Sequence, residues 1–311
     1  MKTKFYGLLY ISKKDSTPNL NYRYRKNRVF IYSKNAENLF FTLKKINYEF
    51  LIVTNKPNIV KKFVSDEIKI KKIKFVRKVP KSISFFSSHF KLDLYKYLSN
   101  KSGYNGILDL DMILINNFSD KFLKLIGKTN MVMNLNDNKN KKYNKIIKNS
   151  LKLCNNLSSN DSYWYGGEFI IGNKNFYKKI YNYSKLHIKN YLSNLDKVHH
   201  HGDEMLLNSA LQTIKHNKKK TFVDISNRKV IARYWTINTF HKQKKIEYYL
   251  NHSLLHLPSD KKFLSKLNTE SKSLEEIKII LEKYFKSKKL KILNFLKKVF
   301  QLIKNQLNEI Y

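Results

Sequence analysis

Residues 106–115 read Gly-Ile-Leu-Asp-Leu-Asp-Met-Ile-Leu-Ile, and two acids inside so apolar a run need compensation for their charge. In a strand, residues i and i+2 point the same way. Asp109 and Asp111 at the end of a buried strand therefore converge on one face and can hold a hard divalent cation, Mn2+ or Mg2+. The alternative is a solvated pair near a turn, bonded to backbone N–H groups; Leu108, Leu110, Met112, Ile113 and Leu114 make solvation there costly. His256, in a late apolar run, is either a satisfied core histidine or a ligand. His199-His200-His201 offers three imidazoles, but consecutive loop residues do not readily face one ion, and no acid or cysteine stands at ligand spacing on the same element. That triplet reads as a solvated or ligand-contacting loop. Trp164, Tyr165 and Trp235 are flat faces on which a ligand could stack or ordinary core residues. Asp203 stands where a helix begins at Glu204, in the position of an N-cap.

These residues need a scaffold, and the pattern of the chain supplies one. Short apolar runs alternate with helical periods through the first hundred residues, which predicts an α/β domain with a largely parallel sheet. Strands are expected at Phe5 to Ile11, Arg28 to Ser33, Tyr48 to Thr54, Ile68 to Val76 (an edge strand dotted with lysine), Gly106 to Ile115 and Tyr163 to Gly172. Further short strands are expected at Thr221 to Ile225 and Val230 to Trp235, and His252 to Leu257 is a short apolar run ending at Pro258. Helices are expected at Asn38 to Ile46, Ser84 to Leu98, Asn175 to Leu192 and Asp203 to Ile214, and the Asn/Lys-rich stretch from Asn134 to Asn160 reads as a surface excursion with one helix. After about residue 270 the chain turns basic and helical, so the division expected is 1–270 as the α/β domain and 271–311 as a tail.

Composition narrows the classes. The 311 residues carry 62 Lys+Arg against 23 Asp+Glu, a formal net charge of +39, which invites a nucleic-acid reading. Only six of the 62 are arginine, however, and the lysines are spread along a chain also crowded with Asn, Ile, Tyr and Phe. Nucleic-acid surfaces lean on the planar fork of arginine, and no helix-turn-helix, RNP, KH or zinc-finger signature is present. A non-catalytic nucleic-acid binder thus rests on charge and aromatic content alone, and no nucleic-acid partner is expected. At 42% hydrophobic and 14% aromatic there is ample material for a core. The single Cys154 excludes an internal disulfide framework and a multi-cysteine metal site, and reads as a small buried residue on a helix face. No run approaches the ~18 apolar residues of a membrane span. The opening Met-Lys-Thr-Lys and its apolar run lack a cleavage site and read as a first core strand, which predicts a cytosolic or cytosol-facing protein.

Four features in order over residues ~5 to 265 resemble the nucleotide-sugar-dependent glycosyltransferases of the GT-A fold, most closely the family 8 group of glycogenin and bacterial lipooligosaccharide galactosyltransferases. They are Ser87-Ser-His-Phe-Lys91-Leu-Asp93, Asp109-Leu-Asp111, Tyr165-Gly-Gly-Glu168-Phe-Ile-Ile-Gly-Asn173, and His256-Leu-Pro-Ser-Asp-Lys261-Lys262. The resemblance implies a GT-A, Rossmann-like, mostly parallel sheet flanked by helices. It implies a metal shell of Asp109, Asp111 and His256 for Mn2+ or Mg2+, and a donor site of Lys91, Asp93, Gly166, Gly167 and Lys261 around a UDP-sugar. Gly202-Asp203-Glu204-Met-Leu-Leu-Asn208 falls where the family has Asp-Gln, then apolar residues and Asn. Asp203 and Glu204 are accordingly the candidate catalytic pair; Glu204 departs from the pattern, and a carboxylate there can act as nucleophile or base where an amide cannot.

The implied activity is hexosyl transfer to a bacterial surface glycan such as lipopolysaccharide, lipooligosaccharide or capsule, with an inactive donor-binding scaffold of the same fold as the alternative. In the tail, Leu293, Leu296, Phe300, Ile303 and Leu307 recur at helical spacing among Lys286, Lys288, Lys289, Lys291, Lys297, Lys298 and Lys304. A basic amphipathic helix over 286–307 predicts peripheral attachment to an anionic membrane, the inner face of the cytoplasmic membrane; packing on the domain or on a partner protomer is the alternative.

Overall fold

The computed structural model describes residues 3–12, 27–80, 83–136, 141–158, 162–217, 221–237 and 243–289. The first apolar run forms β1 (Lys4–Leu9), and the segment expected to be the second strand is instead the start of a long helix, α1 (Arg28–Lys44). Val29, Phe30 and Ile31 favour a strand locally, but the buried face continues as Ile31, Asn35, Asn38, Leu39, Thr42, a helical stripe masked in the sequence by its polar members. Asn38 shows why they are polar: its Nδ2 donates to Leu264 O at 2.7 Å and its Oδ1 accepts from Thr269 N at 3.0 Å, tying the helix to a distant loop.

The chain then runs through β2 (Glu49–Thr54), α2 (Pro57–Val60), β3 (Lys69–Lys72), α3 (Lys91–Leu98) and β4 (Tyr104–Leu108). Next come β5 (Met112–Leu114), α4 (Asp120–Leu123), β6 (Met131–Asn134), α5 (Lys141–Asn155) and β7 (Tyr165–Asn173). The remainder is α6 (Lys174–Ser193), α7 (Asp203–Asn217), β8 (Val223–Asp224), β9 (Ile231–Arg233), α8 (Ile246–Leu250), β10 (Leu254–His256), α9 (Lys261–Leu264) and a final helix, α10, over 274–289. A 3-10 turn, Phe86–Phe90, leads directly into α3, and Cys154 is buried on α5 as expected.

Among the described residues the main sheet has seven strands in the order β3-β2-β1-β4-β7-β6-β8. All are parallel except β7, which runs antiparallel to both β4 and β6. The fold is therefore the expected mixed α/β architecture, a mostly parallel sheet flanked by helices. Alternate residues of its central strands feed two cores: Tyr6, Ile107 and Ile170 pack with α3, α5, α6 and α7, while Phe5, Leu108, Phe169 and Ile171 pack on the α1 and α4 side. Edge strand β3 exposes Lys69, Lys71 and Lys72, which blunts it against further pairing.

The expected single strand over 106–115 is two strands in two sheets. The chain leaves the main sheet after Leu108, turns at Asp109 to Asp111, and enters a second sheet of order β5-β10-β9. A continuous strand would have kept both aspartates in an apolar layer; the turn lets them meet cations, Asp109 with Lys91 and Asp111 with Lys261 and His256. A third core under the second sheet takes Ile113, Leu255 and Leu257 together with Ile277, Leu281 and Phe285 of α10. Residues 274–289 thus pack on the domain, whereas the amphipathic stripe from Leu293 onward lies outside the described residues.

Candidate active site

Strand order reverses beside β1: β2 and β3 lie to one side and β4 to the other. In open α/β sheets such a switch leaves a crevice beyond the carboxyl ends of the strands. Asp109 follows β4 at that crevice, and its N–H donates to Glu168 O on the neighbouring β7. Asp111 is fastened from the other sheet, its carbonyl accepting from Leu257 N at 2.9 Å. The β5–β10 register sets His256 opposite Met112, one residue from Asp111, and the β9–β10 register sets Arg233 beside His256. One ligand atom from each of Asp109, Asp111 and His256 lies within 4.8 Å of the others.

Cations surround these acids. Lys91 Nζ lies 2.7 Å from Asp109 Oδ1 and 3.0 Å from Asp203 Oδ2, and donates to Gly167 O at 2.8 Å. Lys261 Nζ lies 2.5 Å from Asp111 Oδ2. His256 Nε2 lies 3.2 Å from Asp111 Oδ1, and its Nδ1 is 3.4 Å from Glu168 Oε1. Arg233 binds Glu168 with both arms, Nε to Oε1 at 3.1 Å and Nη2 to Oε2 at 2.7 Å, and Nη2 also donates to Glu204 Oε1 at 2.9 Å. Glu204 further accepts from Trp164 Nε1 at 2.9 Å and Gly167 N at 3.3 Å. One turn along α7, Asn208 clamps the start of β7 by accepting from Tyr165 N and donating to Tyr165 O.

The pairing sets the protonation states. Burial acts to lower Lys91, but the Asp109 and Asp203 carboxylates outweigh it and hold the ammonium well above its ordinary value. Burial raises Asp109 above the usual carboxylate range against the pull of Lys91, whereas at Asp111 burial is outweighed by Lys261 and His256, which hold it well below. His256 is pushed up to about 9 because Asp111 and Glu168 outweigh its burial. Glu204 is lowered to about 2, burial being outweighed by Arg233 and then His200.

The donor set fits a divalent cation. Two carboxylates are the oxygen donors that suit Mg2+ and Mn2+, and the imidazole is a borderline donor that suits a transition-metal ion such as Mn2+ better than Mg2+. Charge balance agrees: five carboxylates (Asp109, Asp111, Glu168, Asp203, Glu204) face three permanent cations (Lys91, Lys261, Arg233) and, without a metal, a protonated His256, which leaves 5 − 4 = 1 negative charge; an ion held by neutral His256 would meet 5 − 3 = 2 uncompensated negative charges. One divalent ion would balance them.

The structure thus brings together Lys91, Asp109, Asp111, Gly166, Gly167, Asp203, Glu204, His256 and Lys261, and leaves Asp93 out. Asp93 is buried one side of α3 away, its Oδ2 accepting from Arg77 N at 3.3 Å, and burial raises its pKa. His200 stacks on Phe85 with ring centroids 5.4 Å apart, and His199 sits edge-on to Trp164 at 4.3 Å, so the histidine loop walls the Glu204 side instead of forming its own metal shell. Sequence reasoning missed Arg233 and the role of Glu168. A lone arginine closing the apolar run Val230-Ile-Ala, and a glutamate inside the strand Gly167-Glu-Phe-Ile-Ile, were each a sign of a buried partner of opposite charge.

Fold and site together define an α/β domain with a cluster of buried acids and paired cations at the switch point of its sheet. No protein-family model matches the sequence, and no curated protein matches it. Among solved structures, the chain is similar over 82% of its length to the apo structure of WbbM, a bifunctional glycosyltransferase, at 11% sequence identity and a TM-score of 0.48. The chain spans 45% of the length of that protein.

Proposed function

We propose that this protein is a metal-dependent glycosyltransferase that takes a nucleoside-diphosphate sugar, UDP being the nucleotide the motif resemblance favours, and passes the sugar to a glycan or glycolipid acceptor of a bacterial surface. The observation that carries the reading is the meeting of Asp109, Asp111 and His256 within 4.8 Å at the sheet's switch point, with Lys261 on one side and Asp203 and Glu204 on the other. Mn2+ or Mg2+, when bound, would neutralise charge developing on the leaving diphosphate. Lys261 adds a second positive charge on the same side, and a buried ammonium acts there at low dielectric, where such stabilisation is strongest.

Glu204 has a different part. Three donors hold its carboxylate ionised, so it is a weak proton acceptor at neutral pH and a ready source of negative charge for an anomeric carbon becoming oxocarbenium-like. Gly167 leaves room for that arrangement: a Cβ there would lie 2.6 Å from Asp203 Oδ2 and 3.2 Å from Glu204 Cγ. The test is a panel of nucleotide sugars with Mn2+ or Mg2+, scored for release of nucleoside diphosphate with and without EDTA. Turnover should need the metal and be lost in Asp111→Asn; metal-independent turnover, or none with any donor while Asp111→Asn binds donors like wild type, rejects the function.

Attachment to an anionic membrane through 286–307 belongs to the same proposal, since it would hold the enzyme beside a lipid-linked acceptor at the inner face of the cytoplasmic membrane. Among the described residues no helix is long and apolar enough to cross a membrane.

A further inference from the structure

Glu168 is completely buried, yet it lies behind the candidate ligands and none of the roles above uses it. We propose that Glu168, held by Arg233, is the positioning residue of the metal shell: it fixes the ring of His256 so that Nε2 faces Asp111, an inference that rests on the metal-dependent reading above.

Three observations carry it. First, the two nitrogens of His256 face two different carboxylates, Nε2 toward Asp111 at 3.2 Å and Nδ1 toward Glu168 at 3.4 Å, the latter an ion-pair contact short of a hydrogen bond and the nearest acid to an otherwise unpartnered buried nitrogen, so turning the ring over would exchange both contacts. An imidazole whose second nitrogen meets a carboxylate is the usual way a ligating histidine is held in its tautomer and direction. Second, Glu168 cannot drift. Arg233 grips both its oxygens, and its backbone carbonyl receives Asp109 N, so the residue behind His256 is fastened to the aspartate motif itself. Third, the chain makes space for it: a Cβ at Gly166 would stand 2.1 Å from Glu168 Oε2, so the glutamate keeps this place only beside a glycine.

Arg233 extends the device. The guanidinium that squares Glu168 against His256 also reaches Glu204, and its planar fork sets the distance between the histidine side and the Glu204 side of the cavity. A lysine keeps the charge but cannot make the paired contact and reach Glu204 as well.

Mn2+ titration into the full chain, read by the electron paramagnetic resonance of free Mn2+, tests this with wild type and Asp111→Asn, Glu168→Gln and Arg233→Lys. Asp111→Asn should lose the site. Glu168→Gln should bind 10–100-fold more weakly, and Arg233→Lys several-fold more weakly, with far-UV circular dichroism unchanged. Should Glu168→Gln fail to fold, Arg233→Lys decides alone. Affinities of the folded variants within twofold of wild type, while Asp111→Asn loses binding, overturn the positioning role and leave the metal site standing. Wild-type binding that is absent or indifferent to Asp111→Asn removes the functional reading, and this inference with it.

Discussion

Lys91→Met separates a structural counterion from a residue free to greet a donor. The Lys91 ammonium is engaged on three sides already: it is ion-paired with Asp109 at 2.7 Å and Asp203 at 3.0 Å and donates to Gly167 O at 2.8 Å. Methionine keeps most of the stem and removes the charge, taking the metal-free cluster, with His256 protonated, from one to two uncompensated negative charges. Stripping one partner from a buried ion pair costs about 3–5 kcal/mol. Asp109 keeps 28% of its side chain open to solvent, which screens its share, so the lower end applies. With each kcal/mol worth about 2–4 °C in a chain of this order of size, the melting temperature in EDTA should fall by roughly 6–12 °C. Saturating Mn2+, at 100 times its Kd, stabilises the native state by about 2.7 kcal/mol, and its gain should be larger in Lys91→Met, where Asp109 has lost its other cation. Scanning calorimetry of both proteins in EDTA and in Mn2+ measures all four values. A fall below about 2 °C in EDTA, or equal metal increments in the two proteins, would show that Lys91 is not the counterion inferred from these distances.

His187 makes an acid-stability prediction. It is buried between α6 and α7 with Nδ1 3.1 Å from Ser209 Oγ, and burial pushes its pKa down to about 4. Its native pKa is depressed, so the unfolded chain takes up the proton first as pH falls; the contribution is whole above about pH 6.5 and lost on the way to pH 4, by up to about 3 kcal/mol. Urea midpoints for His187→Gln should therefore fall less steeply than wild type across that window, and parallel curves would refute the assignment. For the tail, flotation with anionic liposomes should compare the full chain with residues 1–289, because Ile277, Leu281 and Phe285 of α10 belong to the third core and a cut at 270 would unroof it. The full chain should float and 1–289 should not; equal flotation would remove the membrane role.

Much of this site was legible because its chemistry is unusual for its surroundings. Two aspartates in an apolar run, a late histidine and a following lysine stood out from the sequence, and the fold brings Asp109, Asp111, His256 and Lys261 into one cluster. What stayed hidden depended on register. Arg233 acts because β9 pairs in parallel with β10 and sets it beside His256, and nothing local to Val230-Ile-Ala-Arg announces that pairing. Asp93 failed for the opposite reason: two residues past Lys91 on a helix is roughly 200° around the axis, so if Lys91 faces the crevice Asp93 faces away. The first turn of α1 misled because its β-branched and aromatic residues favour a strand, while the tertiary contacts of Asn38 and Thr42 select the helix.

The chain and its site carry charge of opposite sign, and the difference bears on how a donor would be held. A surface with a formal excess of 39 positive charges attracts any anion, nucleotide sugars included, but a diffuse field steers and does not select. Selection has to come from the acidic cluster, where every cation is already spoken for: Lys91 by Asp109 and Asp203, Lys261 by Asp111, His256 by Asp111 and Glu168, Arg233 by Glu168 and Glu204. A diphosphate arriving alone would meet a net negative charge and four occupied cations, and like charges at this burial repel strongly. Donor affinity should thus depend steeply on whatever divalent cation the acids hold, because only then do the lysines cease to be needed by the carboxylates. Under the proposed function, the acidic excess that first looked like an anomaly in an apolar strand would be what makes an otherwise indiscriminate basic protein select a metal-bound diphosphate.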